Sequence, residues 1–365
     1  MFNRFASGRR VSLFRQFRAA LLVSSCIWAA SPLYAQVDLG SVKVGAGMRT
    51  SFVHTDPDDT SSATSTDQFL LNSARLYVSG SVTENIKFMF NTEYNGASSQ
   101  IGVLDAAAQI TVNPKFNVWM GRLLPPSDRA NMYGPYYAHH WNVFSDGVQN
   151  GQPSITIGGA PNYTGRANGI VYWGDFNKKV KLSIGAFDGA TLTGNAKVLG
   201  AARLQFDFWD PENGYYLNGT YYGDGNILAI GGSTQVQSGK TNSNIDFLME
   251  KKLASGGVIS LESQYTNYNG LGGYVPGYKS QGAYALASYL FPQKVGVGQF
   301  EVLGKYGSAQ FTKGPAPSFR WETTEFNVSY VIKQFNARVV TFFQNTNFTN
   351  SPDTWKGGLG LQIQM

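Results

Sequence analysis

The densest grouping of chemically capable side chains lies in and beside residues 123–165. Arg122 stands at the threshold, followed by Ser127, Asp128, Arg129, His139, His140, Ser145 and Asp146. Three chemistries could use them. His139 with Asp146 and either Ser145 or Ser127 has the composition of a nucleophilic triad. The chain has no G-x-S-x-G, no H-E-x-x-H and no Walker loop, so nothing else supports hydrolysis. Gly357-Gly358-Leu359-Gly360 sits in an alternating stretch with no helix after it, so it cannot cradle a phosphate. The adjacent histidines invite a metal, yet neighbours on a strand point to opposite faces and the third histidine, His54, is remote. No metal and no cofactor are expected. The third chemistry is electrostatic: Arg122, Asp128, Arg129, His139 and His140 would line a narrow place that ions must pass. Both histidines protonating below about pH 6.5 would then add positive charge there.

Such a constriction needs a frame, and the rest of the chain is written in period two. Val42, Val44, Ala46, Met48 and Phe52 alternate with Lys43, Gly45, Gly47, Arg49 and Ser51. Val180, Leu182, Ile184 and Ala186 alternate with Lys181, Ser183 and Gly185, and Ala202, Leu204, Phe206 and Phe208 with Arg203, Gln205 and Asp207. Segments of about 10 residues, apolar on one face and polar on the other, are strands between lipid and a wet lumen. No run of 18 apolar residues occurs, which excludes a helical membrane protein. Gly reaches 42 residues, aromatics 14% and charged residues only 14%, again fitting a barrel. Aromatics near strand ends, among them Trp119, Trp173, Trp209, Tyr265 and Trp355, suit two interfacial girdles. The last strand alternates from Trp355 to Met365, where outer-membrane barrels usually end in Phe.

Asn113-Pro114, Asn177-Lys178, Ser255-Gly256-Gly257 and Lys333-Gln334 read as tight turns; 55–67, 123–165, 189–198, 269–279 and 312–319 read as longer outward loops. A first count gives 17 strands, but both termini on one side require an even number. The weakest candidate, 215–223, has tyrosines on both faces and Gly219 at its centre. Assigning it to a connection from Asp210 to Asn226 leaves 16. The fold class is therefore all-β, a transmembrane antiparallel β-barrel of 16 strands with a long third loop. That loop has 43 positions against the usual 4–6, and Pro125-Pro126 stiffens its start. It is expected to narrow the lumen; an outer cap of packed aromatics is the alternative.

Residues 1–35 read as an export signal, with Arg4, Arg9, Arg10, Arg15 and Arg18 ahead of an apolar stretch and a cleavage site after Ala35. Residues 36–365 form the barrel. The only cysteine, Cys26, lies in the signal; a lipid anchor there is the lesser reading. Without those five arginines the chain keeps 24 basic and 23 acidic residues, so no basic nucleic-acid surface exists.

Alternation turns Lys43, Arg49, Arg75, Lys87, Lys181, Arg203, Lys252, Lys305, Arg338 and Lys356 inward. It also turns in Glu93, Asp105, Asp207, Asp246, Glu250, Glu262, Glu301 and Glu325. Ten against eight is nearly balanced, whereas selectivity from charged rings needs an excess of one sign. These residues imply a non-enzymatic, water-filled pore for small hydrophilic solutes and ions, weakly selective or mildly anion-preferring. Its partners would be outer-membrane lipid and lipopolysaccharide, in a Gram-negative bacterium. A barrel hydrolase and an adhesive barrel are the alternatives.

Several stretches also resemble the phosphate-selective porin O and P family. They include Ala74-Arg75-Leu76-Tyr77-Val78-Ser79-Gly80, Gly121-Arg122-Leu123-Leu124-Pro125-Pro126, Trp209-Asp210-Pro211-Glu212-Asn213-Gly214-Tyr215-Tyr216 and Glu301-Val302-Leu303-Gly304-Lys305-Tyr306. The resemblance implies a homotrimer, a third loop folded into the pore, and anions such as phosphate as solutes. The near-balance of inward charges stands against the last of these.

Overall fold

Strand propensity is realised here by giving each side chain one of two surroundings, an exposed apolar outer face or a polar interior. The computed structural model describes residues 38–39, 42–57, 64–95, 100–149, 165–189, 197–275, 277–349 and 351–365. The expected signal and its Cys26 lie outside the described residues, as do positions 150–164 of the long loop. A two-residue strand, β1 (Asp38–Leu39), pairs with β2 (Val42–Pro57). The wall continues through β3 (Thr66–Ser81), β4 (Ile86–Asn95), β5 (Gln100–Asn113), β6 (Phe116–Leu123), β7 (Ala167–Phe176), β8 (Val180–Gly189) and β9 (Lys197–Asp207). It resumes with β10 (Ile227–Gln237), β11 (Lys240–Lys252), β12 (Val258–Asn269), β13 (Lys279–Val295) and β14 (Gly298–Lys313). The last strands are β15 (Ala316–Lys333), β16 (Ala337–Phe348) and β17 (Thr354–Gln364).

Each strand from β2 to β17 pairs antiparallel with the next, and β17 pairs with β2 from Gln364 opposite Gly47 to Thr354 opposite Pro57. The result is a closed 16-stranded antiparallel barrel, as the even-number argument requires. Closure satisfies every edge, which is the condition for spanning a bilayer with strands. Outward residues are apolar and exposed: Met48 and Phe52 on β2, Leu204 and Phe206 on β9, Phe326 on β15, Leu359 and Ile363 on β17. Their inward neighbours Arg49, Ser51, Arg203, Gln205, Glu325 and Gln362 are buried.

Asn177 and Lys178 take φ of 54° and 55°, a left-handed pair that lets the Lys179 N–H close on the Phe176 carbonyl at 3.0 Å in the three-residue connection to β8. The expected loop 312–319 is instead a two-residue turn, because β14 and β15 run on through it. Phe311 and Phe319 stack at 4.6 Å across that pair, extending the ladder by aromatic packing. One rim carries the connection between β6 and β7. The opposite rim has short turns except for residues 208–226, between β9 and β10. That segment contains no strand, in agreement with removing 215–223 from the count. It does not stay outside, however; it enters the barrel.

Candidate functional site

The interior is narrowed from both rims. From one side, residues 124–149 run within the ring of strands. Asp128 caps a five-residue helix, α1 (Arg129–Tyr133), its carboxylate accepting from the Asn131 backbone N–H at 3.1 Å. Gly134, at φ 62°, ends it. The chain beyond is fastened to inward side chains of the far wall. Gln362 donates to the Tyr136 carbonyl at 2.8 Å, Arg338 to that of His139 at 3.0 Å, and Arg49 to that of Trp141 at 2.8 Å. Asn327 accepts from the Trp141 N–H at 2.8 Å. The Trp141 ring stacks on Phe342, and a Cβ at Gly360 would overlap it.

From the other rim, residues 208–226 rise to meet this loop. Leu217 donates its backbone N–H to the Met132 carbonyl at 3.2 Å and Gly219 donates to Tyr137 at 2.9 Å. Tyr215 donates its hydroxyl to the Leu124 carbonyl at 2.7 Å, its ring packed on Trp119 and Trp173. Gly219 is needed there: an added Cβ would sit 2.8 Å from the His139 nitrogen. On the wall side, the Glu250 carboxylate accepts from the Thr220 hydroxyl at 2.6 Å and from the N–H groups of Tyr221 and Gly223 at 2.9 and 2.8 Å.

Arg129 joins the two segments. Its guanidinium grips Glu212, with Nη1 2.9 Å from Oε1, and its Nε lies 3.3 Å from Asp246 on β11. Both members of the Arg129–Glu212 pair are fully buried. Burial alone would raise the Glu212 carboxyl, but Arg129 outweighs it and holds Glu212 below the usual carboxylate range. Arg203 on β9 closes on Asp246 with two bonds of 2.6 and 2.8 Å. It reaches across β10 because Gly231 lies between; a Cβ there would overlap the guanidinium.

Several of the inward charges are spent on one another. Besides this node, Arg75 pairs with Glu93, Arg166 with Asp105 at 3.0 Å, His139 with Glu301 at 2.6 Å and Lys305 with Asp146 at 2.7 Å. Asp207 accepts from Gln205 at 2.8 Å, and Lys181 donates to the Glu212 carbonyl. Arg49 and Arg338 carry no carboxylate among the described residues and hold loop carbonyls instead. Residues 150–164 contain no charged side chain.

Two of the expected site residues, Arg122 and Lys87, are placed differently. Arg122 shares its row with Ala106 and Asn168, the row of exposed Met120 and Ile170, so it faces outward from β6 and leaves the constriction. Strand parity decides this: Leu123, one residue on, is the one that turns in. Asp128 is consumed as the α1 cap. Lys87 has inward parity but lies exposed at the rim end of β4. Arg129, His139 and His140 are inside. The histidines do not titrate together, though. Burial opposes charge on His139, but Glu301 outweighs it and raises the imidazole above its ordinary value. Burial and the facing Lys305 push His140 well down, and its Nε2 accepts from Lys305 Nζ at 2.9 Å.

The triad residues are not brought together. Asp146 serves Lys305 and Gln149, Ser145 bonds to Asn142 and Gln344, and Ser127 bonds to Asp128. His139 does touch Ser288 at 3.1 Å, but through the same Nε2 that binds Glu301, so no proton relay runs through the ring. Among the described residues no cluster of three His, Cys, Asp or Glu could hold a metal.

The sequence reading missed the role of 208–226. Its signals were Glu212, an acidic residue in a supposedly external connection, and four tyrosines with no strand to serve.

No family model matches the chain, and no curated protein matches it in sequence. Solved structures do match in shape. OmpF of Salmonella typhi, in complex with daunomycin, aligns with TM-score 0.59 at 11% identity over 90% of this chain and 100% of that one. An anion-selective porin from Comamonas acidovorans aligns with TM-score 0.53 at 14% identity over 89% and 99%. OmpT of Vibrio cholerae, folded in vitro and in a trimer form, gives 0.53 at 10% identity over 89% and 100%. At such identities the likeness is one of fold: this chain shares the closed antiparallel barrel of outer-membrane porins.

Proposed function

We propose that the protein is an outer-membrane channel of the porin kind, passing small hydrophilic solutes and ions by diffusion with weak selectivity. The observation that carries this reading is the charge pairing of a polar interior inside an apolar wall. A polar interior suits hydrophilic solutes, and paired charges interspersed with Arg49 and Arg338 present no continuous ring of one sign to a passing ion. The leader at 1–35 would direct export in a Gram-negative cell, and the apolar wall would meet lipid and, at the outer rim, lipopolysaccharide. A homotrimer accords with the trimer form of the Vibrio cholerae barrel. Phosphate specificity, which the O and P resemblance implies, would need an unpaired basic ladder; Arg75, Arg129, Arg203 and Lys305 are paired, which leaves only Arg49 and Arg338 of the inward arginines without a carboxylate among the described residues. A hydrolase is disfavoured by the single-nitrogen geometry at His139. Proteoliposome swelling tests the reading. Small sugars and amino acids are expected to enter and large oligosaccharides to be excluded; no swelling with any solute would contradict it.

A further inference from the structure

The two segments that enter the barrel leave a cavity of about 240 Å³ between them and strands β3 to β5. Its wall includes Arg75, Tyr77, Asn91, Tyr137, Tyr216 and Asn218. Tyr216 and Asn218 also line a second cavity, of about 430 Å³, toward the 208–226 rim. A solute moving from one to the other passes these two residues.

We propose that the first cavity is a binding site for a small, uncharged, hydroxyl-rich ring, of the monosaccharide class. The proposal rests on the channel reading and names its solute. Charge comes first. The cations at the cavity are each matched, Arg75 by Glu93 and Arg166 by Asp105, so neither an anion nor a cation finds an unbalanced partner. Hydrogen bonding comes second. The hydroxyls of Tyr77 and Tyr216 are buried, the first against the Arg75 guanidinium and the second against the Asp105 carboxylate, and neither has a further partner among the described residues. Tyr77 keeps its proton to donate and Tyr216 a lone pair to accept with, and a solute hydroxyl at each would use them. Shape comes third. Tyrosine rings give flat apolar walls suited to the C–H face of a sugar ring, while Asn91 and Asn218 give planar polar edges.

The wall is also held in place. Tyr77 meets Tyr136 edge to face at 6.4 Å, and Arg75 lies 4.7 Å above the Tyr136 ring. Asn91 donates to Asp105 at 3.0 Å. A prearranged site loses less freedom on binding than one that must be ordered. Tyr137 remains 38% exposed, so water reaches this side of the loop.

Calorimetric titration of the detergent-folded full chain with glucose, inorganic phosphate and lysine tests the site without requiring conduction. Glucose is expected to bind and the two ions not to. Tyr77→Phe and Tyr216→Phe should each weaken glucose about fivefold, the loss of one hydrogen bond, with circular dichroism confirming the fold. Absence of glucose binding, or phosphate binding as tightly, overturns the proposal. So does unchanged affinity in both variants. Bilayer conductance of the same preparation separates the two claims. Conduction without glucose binding removes this site and leaves the channel; glucose binding without conduction keeps the site and removes the channel reading.

Discussion

Arg129 is the residue where the two intruding segments meet, and its loss has a calculable cost. Removing one partner of a buried pair leaves the other charge unsatisfied, about 3–5 kcal/mol. Arg129→Gln should therefore free the 208–226 segment, seen as raised protease sensitivity within 208–226 of the folded barrel. Resistance equal to that of the unaltered protein would contradict the latch. His139 gives a pH signature. Its imidazole is raised by Glu301, so the stabilisation of the pair is fully present below about pH 6.5 and is lost as pH rises through the raised value. The difference in thermal stability between the native chain and His139→Gln should be largest at acid pH and shrink in alkali; a difference that grows with pH would have the wrong sign. At this scale sequence parity was informative but local. It placed Arg49, Arg75, Arg203 and Arg338 inward, yet it could not place Asp128, whose partner is its own helix, and Arg122 had no alternating neighbours in the reading to set its face.

At the scale of elements, strands were legible because an apolar outer face and a polar inner face impose a period of two along each of them. The even-strand requirement then removed 215–223 without any knowledge of contacts. What stayed hidden was the path of irregular backbone. Nothing periodic marks a connection that turns into the barrel, and its anchors, Glu250 for Thr220 and Tyr137 for Gly219, lie dozens of residues away or more. Gly219→Val tests that path directly. A side chain placed 2.8 Å from the His139 nitrogen cannot be seated, so the segment should undock and single-channel conductance should rise. Unchanged conductance would mean that 208–226 does not limit the pore.

For the whole molecule, the central distinction is between two surfaces of one closed sheet. On the proposed reading the outer surface meets lipid. Leu359→Arg, at the middle of the outward face of β17, should destabilise the barrel by about 2–4 kcal/mol in bilayer folding titrations, whereas Lys356→Gln, one face over, should shift ion selectivity rather than stability. On the proposed channel reading the inner surface conducts, and its mixture of charges should leave little preference between ions. Reconstitution of the purified protein into a planar bilayer under a KCl gradient reads both properties at once. Stepwise openings with a reversal potential near zero are the predicted result. A strongly anion-selective potential with block by phosphate, or a folded barrel that never opens, would contradict it.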